Sequence, residues 1–160
     1  MATPHLLTIP NSPLKVKLVT TAYEGMTVSY LRYKVFVEEQ GIAIDEEFDG
    51  SDTHSVSFLF FLDFVPIGTM RYYKDEDGVI HPGRIALLKS YRNQGYGKTM
   101  MRWFEQYIVG LYPTVTIRLH AQIHLKQFYM SLGYSPKGKT FLEANIEHIE
   151  MEKNLKRATF

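Results

Sequence analysis

Cysteine is absent from the 160 residues, which removes a disulfide framework, a thiolate nucleophile and a zinc–thiolate site together. An excess of either charge is missing too. The 18 Lys and Arg against 17 Asp and Glu leave a net +1, so bulk electrostatics draw the chain neither to nucleic acid nor to a membrane surface. No segment approaches the ~20 apolar residues of a membrane span, and the first residues lack the basic stretch and apolar run of a secretory leader. The expectation is a soluble intracellular protein, cytoplasmic, with the nucleus left open. Metal ligation has little footing. His120 and His124 are spaced as in H-E-x-x-H, but Ala121 replaces the glutamate and His120 falls in a strand pattern, so no metal site is expected.

What is present is apolar bulk, 45% hydrophobic and 14% aromatic residues, enough at this length for a packed core. Residues 1–13 hold three prolines and no periodicity and read as a loose tail. Leu14 to Thr20 alternates as a strand. Val28, Leu31, Val35 and Phe36 give a helical stripe over Glu24 to Val37 that Gly41 ends. Ser55 to Asp63 and Pro66 to Tyr73 form a hairpin pattern, and Asp77-Gly78 turns toward a strand over Arg84 to Lys89. Two adjoining apolar stripes make Lys98 to Val109 a largely enclosed helix, stopped by Gly110 and Pro113. Thr114 to His120 is a strand, and Gln122 to Leu132 a helix closed by Gly133. Short strands at Tyr134 to Pro136 and Glu147 to Lys153 are expected to flank a loop through Gly138 and Glu143. The order β–α–β–β–β–α–β–α–β–β mixes hairpins with crossovers. It implies an α/β (α+β) fold, a mixed central sheet with helices on both faces, in one domain over 14–160.

Between Ile85 and Phe104 an apolar strand gives way to a turn with two glycines and then to the apolar helix. That arrangement sets backbone N–H groups and a helix N-terminus around an anionic phosphate. A Walker A loop would need glycine where Arg92 stands, and the dinucleotide fingerprint would need it at Met100. The pattern [QR]-x-x-G-x-[GA] fits at Arg92, Gly95 and Gly97. In it the turn resembles the acetyl-CoA pyrophosphate loop of the GNAT N-acetyltransferases. Further segments support the likeness. Gln127-Phe128-Tyr129-Met130-Ser131-Leu132-Gly133-Tyr134 is similar to the family's F-Y-x-x-L-G-[FY]. Leu31-Arg32, Val35-Phe36-Val37 and Glu39-Gln40, with His54 further on, resemble the ElaA-like branch. So does Phe141-Leu142-Glu143 leading to Ile146, His148 and Met151.

The resemblance implies an N-acetyltransferase that uses acetyl-CoA as cosubstrate. It points to Arg92, Asn93, Gln94, Gly95, Tyr96, Gly97 and Lys98 for the pyrophosphate. The preceding strand, Ala86, Leu87 and Leu88, would supply pantetheine contacts and a backbone donor for the thioester oxygen. Gln122 stands where the family often has an Asn that contacts CoA. Tyr129 is the implied acid toward the departing thiolate. The base that takes the ammonium proton stays open among Glu39, Glu143 and His120. Without cysteine, transfer would be direct, within a ternary complex. The acceptor is a primary amine, either a small molecule or an exposed peptide or lysine-like group. The acidic run from Glu38 to Asp52 reads either as a solvated loop or as an anionic rim that attracts this amine, and Arg32 as a tie to its acidic neighbours. Two rivals come from other classes: a catalytically silent acetyl-CoA-binding sensor, and a nucleotide-binding switch that would need the missing Walker glycine. Homodimerisation, common in the superfamily, has no residue signature here.

Overall fold

The computed structural model describes residues 6–158. Its strands are β1 (Leu7–Thr8), β2 (Leu14–Leu18), β3 (Val56–Leu62), β4 (Val65–Lys74), β5 (Ile80–Leu87), β6 (Thr114–Gln122), β7 (Ser135–Glu143) and β8 (Ile146–Lys156), in the sheet order β1-β2-β3-β4-β5-β6-β8-β7. The α-helices are α1 (Ala22–Arg32), α2 (Ile44–Glu47), α3 (Tyr96–Leu111) and α4 (Lys126–Ser131). The mixed sheet and its helices make an α/β fold. Contacts along the chain group into two compact units. One holds the chain up to Arg71 with Arg84–Trp103, and the other holds Tyr72–Gly83 with the chain from Phe104 on.

In the first unit, α1 begins at a reciprocal cap: the Thr21 hydroxyl accepts from the Glu24 amide, and the Glu24 carboxylate accepts from the Thr21 amide, so amides left over at the helix start are satisfied. Side chains alternate along β3, and that alternation gives it two apolar faces. Leu59 and Phe61 meet Val28 and Leu31 of α1. Phe58 and Phe60 meet Trp103 of α3 edge-on, at 5.0 and 5.7 Å between ring centres. Helices therefore cover both faces of this strand. The expected helix over 24–37 is in fact α1 followed by a π-helical stretch, Tyr33–Glu39, in which Gln40 N–H bonds to Val35 O. The wider turn places Val35 and Phe36 against Ala86. Part of the expected loose tail is ordered. Leu7 and Thr8 pair with Val16 and Lys15, the turn between them passes through Asn11 at φ 60°, and Ser12 accepts from the Leu14 amide. Pro10 and Pro13 there punctuate a turn rather than mark disorder. The rest of that tail, residues 1–5, lies outside the described residues. The strand expected to open at Arg84 opens at Ile80, because Arg84 takes a left-handed φ of 48° inside β5 and breaks the alternation.

In the second unit, β6 and β8 pair antiparallel from Thr114–Lys156 to Gln122–His148, β7 pairs antiparallel with β8, and Ile80 of β5 lies parallel to Ile117. One face of β6 and β8 is core: Val115, Ile117, Leu119, Ala121, Ile149 and Met151 are buried. The other face carries Arg118, His120 and Gln122. The expected loop through Gly138 and Glu143 is strand. A two-residue turn, Ala144-Asn145 with φ of 50° and 60°, joins β7 to β8, and an irregularity between Lys137 and Phe141 absorbs Gly138. Such turns usually announce themselves as Asn-Gly, and Ala-Asn hides this one. The expected helix from Gln122 starts later, since Gln122 ends β6 and a 3-10 turn, Ile123–Leu125, precedes α4.

Candidate active site

In the first unit the glycine turn lies between a 3-10 turn, Lys89–Tyr91, and α3. Asn93 and Gly95 take φ of 63° and 81°, and nothing stands within 4 Å of where a Gly95 Cβ would be. Asn93, Gln94, Gly95 and Lys98 are exposed, with Tyr96 and Gly97 half-buried. The first amides of a helix have no intrahelical acceptor, and here Thr99 N–H is already bonded to Gly95 O. An open left-handed glycine ahead of these amides is a surface that a pyrophosphate fits.

Arg92 is held below this turn. Its Nε donates to Leu87 O at 2.8 Å, and its two terminal nitrogens donate to Glu39 at 2.6 and 2.7 Å. The arginine thus fastens the end of the π-helix to the turn. The same hydrogen bonds hold the Glu39 carboxyl below the usual range against the opposing effect of burial, which makes Glu39 a poor proton acceptor. Of the three β5-side residues, Ala86 is core against Val35 and Phe36, and Leu88 N–H is taken by Ile67 O of β4 at 2.9 Å. Backbone polar groups alternate sides along a strand, so the Leu87 amide points away from β4.

The acidic run is largely paired within its own unit. Arg32, 2% exposed, donates through Nε to Glu47 at 2.7 Å and through Nη1 to Asp52 at 2.6 Å, which is the tie expected of it. Arg71 reaches Asp52 at 2.6 Å, and Arg84 lies 3.2 Å from Glu47 and 3.7 Å from Asp49. Burial pushes the Glu47 carboxyl up against the pull of Arg32 and Arg84. For Asp52 the outcome reverses: burial again pushes up, but Arg71 and Arg32 together outweigh it and leave the group low. Buried Glu47, with the more open Asp49 and Asp52, therefore anchors arginines from α1, β4 and β5. Arg71 and Arg84 went unnoticed in the sequence. Their signal is an arginine set within a largely apolar stretch of each strand.

In the second unit Tyr129 sits on α4 at 5% exposure, edge-on to Phe128 and Tyr134 at 5.0 and 5.9 Å. Burial alone pushes its phenol up, and its hydroxyl makes no hydrogen bond among the described residues. The turn after α4 is braced: Lys153 Nζ donates to Leu132 O at 2.6 Å and to Glu105 at 2.9 Å, and Tyr134 donates to Glu105 at 2.8 Å. His120, near the end of β6, lies 3.2 Å through Nδ1 from Glu143 Oε1. Phe141 stands edge-on to His120 and stacks on His148. Two of the candidate bases are thus neighbours, and Glu39 is engaged elsewhere. Gln122 ends β6 opposite His148.

A mixed sheet carrying these helices is the fold of solved N-acyltransferases. Residues 20–155 match the acetyltransferase (GNAT) domain, and the chain belongs to that family. Among its relatives is the uncharacterized N-acetyltransferase YjcF of Bacillus subtilis, 33% identical over 78% of this chain and 89% of that protein. An acyl-CoA N-acyltransferase of Pseudomonas aeruginosa superposes with a TM-score of 0.77 at 27% identity, covering 91% of this chain and 98% of its own. The crystal structure of Escherichia coli ElaA superposes with a TM-score of 0.78 at 23% identity, over 88% of this chain and 99% of that one. The protein is thereby an enzyme class member with transferase chemistry, and one family model spans both compact units.

Proposed function

We propose that the protein moves an acetyl group from acetyl-CoA directly to a primary amine, a small molecule or a lysine-like group, in a ternary complex. Acetyl-CoA supplies the activated acetyl thioester. The amides of Gln94 to Lys98 hold its pyrophosphate, with Gly95 allowing close approach. Lys98, exposed in the first turn of α3, adds positive charge there, while Arg92 positions the turn through Glu39 and Leu87. The Leu87 amide is the donor for the thioester oxygen, because Leu88 is already bonded to Ile67. A fixed backbone donor needs no reorganisation as charge develops.

The observation that carries the reading is Tyr129, 5% exposed on α4, whose hydroxyl makes no hydrogen bond among the described residues. A hydroxyl left uncommitted on the segment similar to F-Y-x-x-L-G-[FY] suits a proton donor to a departing thiolate. Burial keeps it protonated across neutral pH. A sensor would have no use for such a group. Of the acidic run, Glu47 and Asp52 answer arginines, which leaves exposed Asp45 and Glu46 for any amine-attracting rim. The test is thiol release from acetyl-CoA on a panel of primary amines. Turnover by the unsubstituted chain, with kcat reduced about 10²-fold or more in Tyr129→Phe and acetyl-CoA binding retained, supports the proposal. Acetyl-CoA binding without thiol release on any amine contradicts it and favours the sensor.

A further inference from the structure

Glu143 lies between two imidazoles. His120 Nδ1 is 3.2 Å from its Oε1, and His148 Nε2 is 3.7 Å from its Oε2. His148 is 6% exposed, and its Nδ1 lies 2.6 Å from the Ile146 carbonyl. A carbonyl only accepts, so that nitrogen carries the hydrogen. His148 Nε2 is then the ring nitrogen turned toward Glu143. His120 differs in exposure: its side chain is 46% open, as is 48% of Glu143. With its Nδ1 hydrogen directed to Glu143, the Nε2 lone pair is left to accept a proton. All three residues share the polar face of β6, β8 and β7, and β6 leads through one 3-10 turn into α4 with Tyr129. The hairpin turn at Ala144-Asn145 fixes the register of Glu143 against Ile146 and so brings Glu143 near His148.

Resting on the acetyltransferase reading above, we propose that His120 is the general base, that Glu143 is its orienting carboxylate, and that His148 is a positioning residue acting through Glu143. In the step, one proton leaves the substrate ammonium for His120 Nε2. The imidazolium keeps its Nδ1 hydrogen on Glu143, and the amine's freed lone pair forms the C–N bond as the carbonyl π pair moves to oxygen. When that pair returns, the C–S bond breaks, the CoA thiolate leaves with the Tyr129 proton, and the second N–H proton of the adduct passes to the Tyr129 oxygen. The charged groups facing His120 are Glu143 from β7 and Glu150, its cross-strand partner on β8. Arg118, two residues earlier on β6, is engaged with Glu152 at 2.9 Å and Glu150 at 3.9 Å. The hydrogen bond to Glu143, ahead of the burial that opposes it, raises the His120 imidazole above its ordinary value, with further help from the charges of Glu143 and Glu150. A raised imidazole stays protonated to higher pH, so the acid limb of kcat/KM lies higher than a free histidine would set it.

Two measurements on the intact chain test this. In the first, the His120 ring is titrated by NMR in the unsubstituted protein, Glu143→Gln and His148→Gln. The midpoint should fall in Glu143→Gln and fall less in His148→Gln; an unchanged midpoint in Glu143→Gln overturns the coupling without reference to turnover. In the second, kcat/KM is followed against pH. The acid limb should move to lower pH in Glu143→Gln, and should vanish in His120→Gln with a loss of about 10²- to 10⁴-fold while acetyl-CoA binding persists. If the unsubstituted chain turns over and His120→Gln keeps its rate and acid limb, the base assignment is wrong and the acetyltransferase reading stands. If no amine supports thiol release in the unsubstituted chain, that reading fails and this role falls with it.

Discussion

Single residues divide the arginines into ties and the glycines into openings. Arg32 is the strongest tie, enclosed with Glu47 at 2% exposure on both sides. Removing one partner of a buried pair leaves the other uncompensated, at a cost of about 3–5 kcal/mol. Arg32→Met should therefore lower unfolding free energy by about that much in chemical denaturation, and a loss under about 1 kcal/mol would show that Glu47 finds another partner. Arg92 carries a similar lesson for the site. Sequence places it beside the glycine turn, but its guanidinium faces Glu39 and Leu87. Pattern matching finds which residue occupies a position and not which way its side chain points. Glu39 is a candidate base by sequence for that reason, while its carboxylate accepts from Arg92.

At the scale of elements, the start of α1 and the β7–β8 hairpin make separate predictions. Burial pushes the Glu24 carboxyl up, yet the contact with Lys17 and the hydrogen bonds from Thr20 and Thr21 bring it from 4.5 to about 2. A depressed carboxyl contributes stability that is present above its unfolded value and lost as pH falls through its folded one. Unfolding free energy should thus decline between pH 4.5 and about 2 more in the unsubstituted chain than in Glu24→Gln. At neutral pH that variant should be about 0.5–2 kcal/mol less stable. In the hairpin, Ala144 pays for a left-handed φ of 50°, and glycine adopts that conformation freely. Ala144→Gly should raise stability by about 1 kcal/mol in thermal or chemical unfolding, whereas a loss would mean the turn gains more from its Cβ than the strain removes. Elements with clean periodicity, β2, β3, α3 and β6, were legible within a few residues. The π-helical end of α1 and the Ala-Asn turn were not. Apolar spacing does not separate a 3.6-residue turn from a wider one, and Ala-Asn carries no glycine to mark a reversal.

For the whole molecule, the fold class was legible because hairpins and crossovers alternate in an order few architectures use, and the family match over 20–155 agrees with it. The glycine turn was legible from three residues in context. The cluster proposed to handle protons was not legible, since Glu143 meets His120 and His148 through a hairpin that the sequence reads as a loop. The central claim is that amides after β5 hold the diphosphate of acetyl-CoA. Calorimetric titration of the intact chain with acetyl-CoA tests it most directly, with ATP and a Gly95→Glu variant as comparisons. The account predicts saturable one-site binding of acetyl-CoA, none of ATP, and loss of binding in the variant with its circular dichroism unchanged. No heat from acetyl-CoA, or equal binding by a folded Gly95→Glu protein, would contradict it.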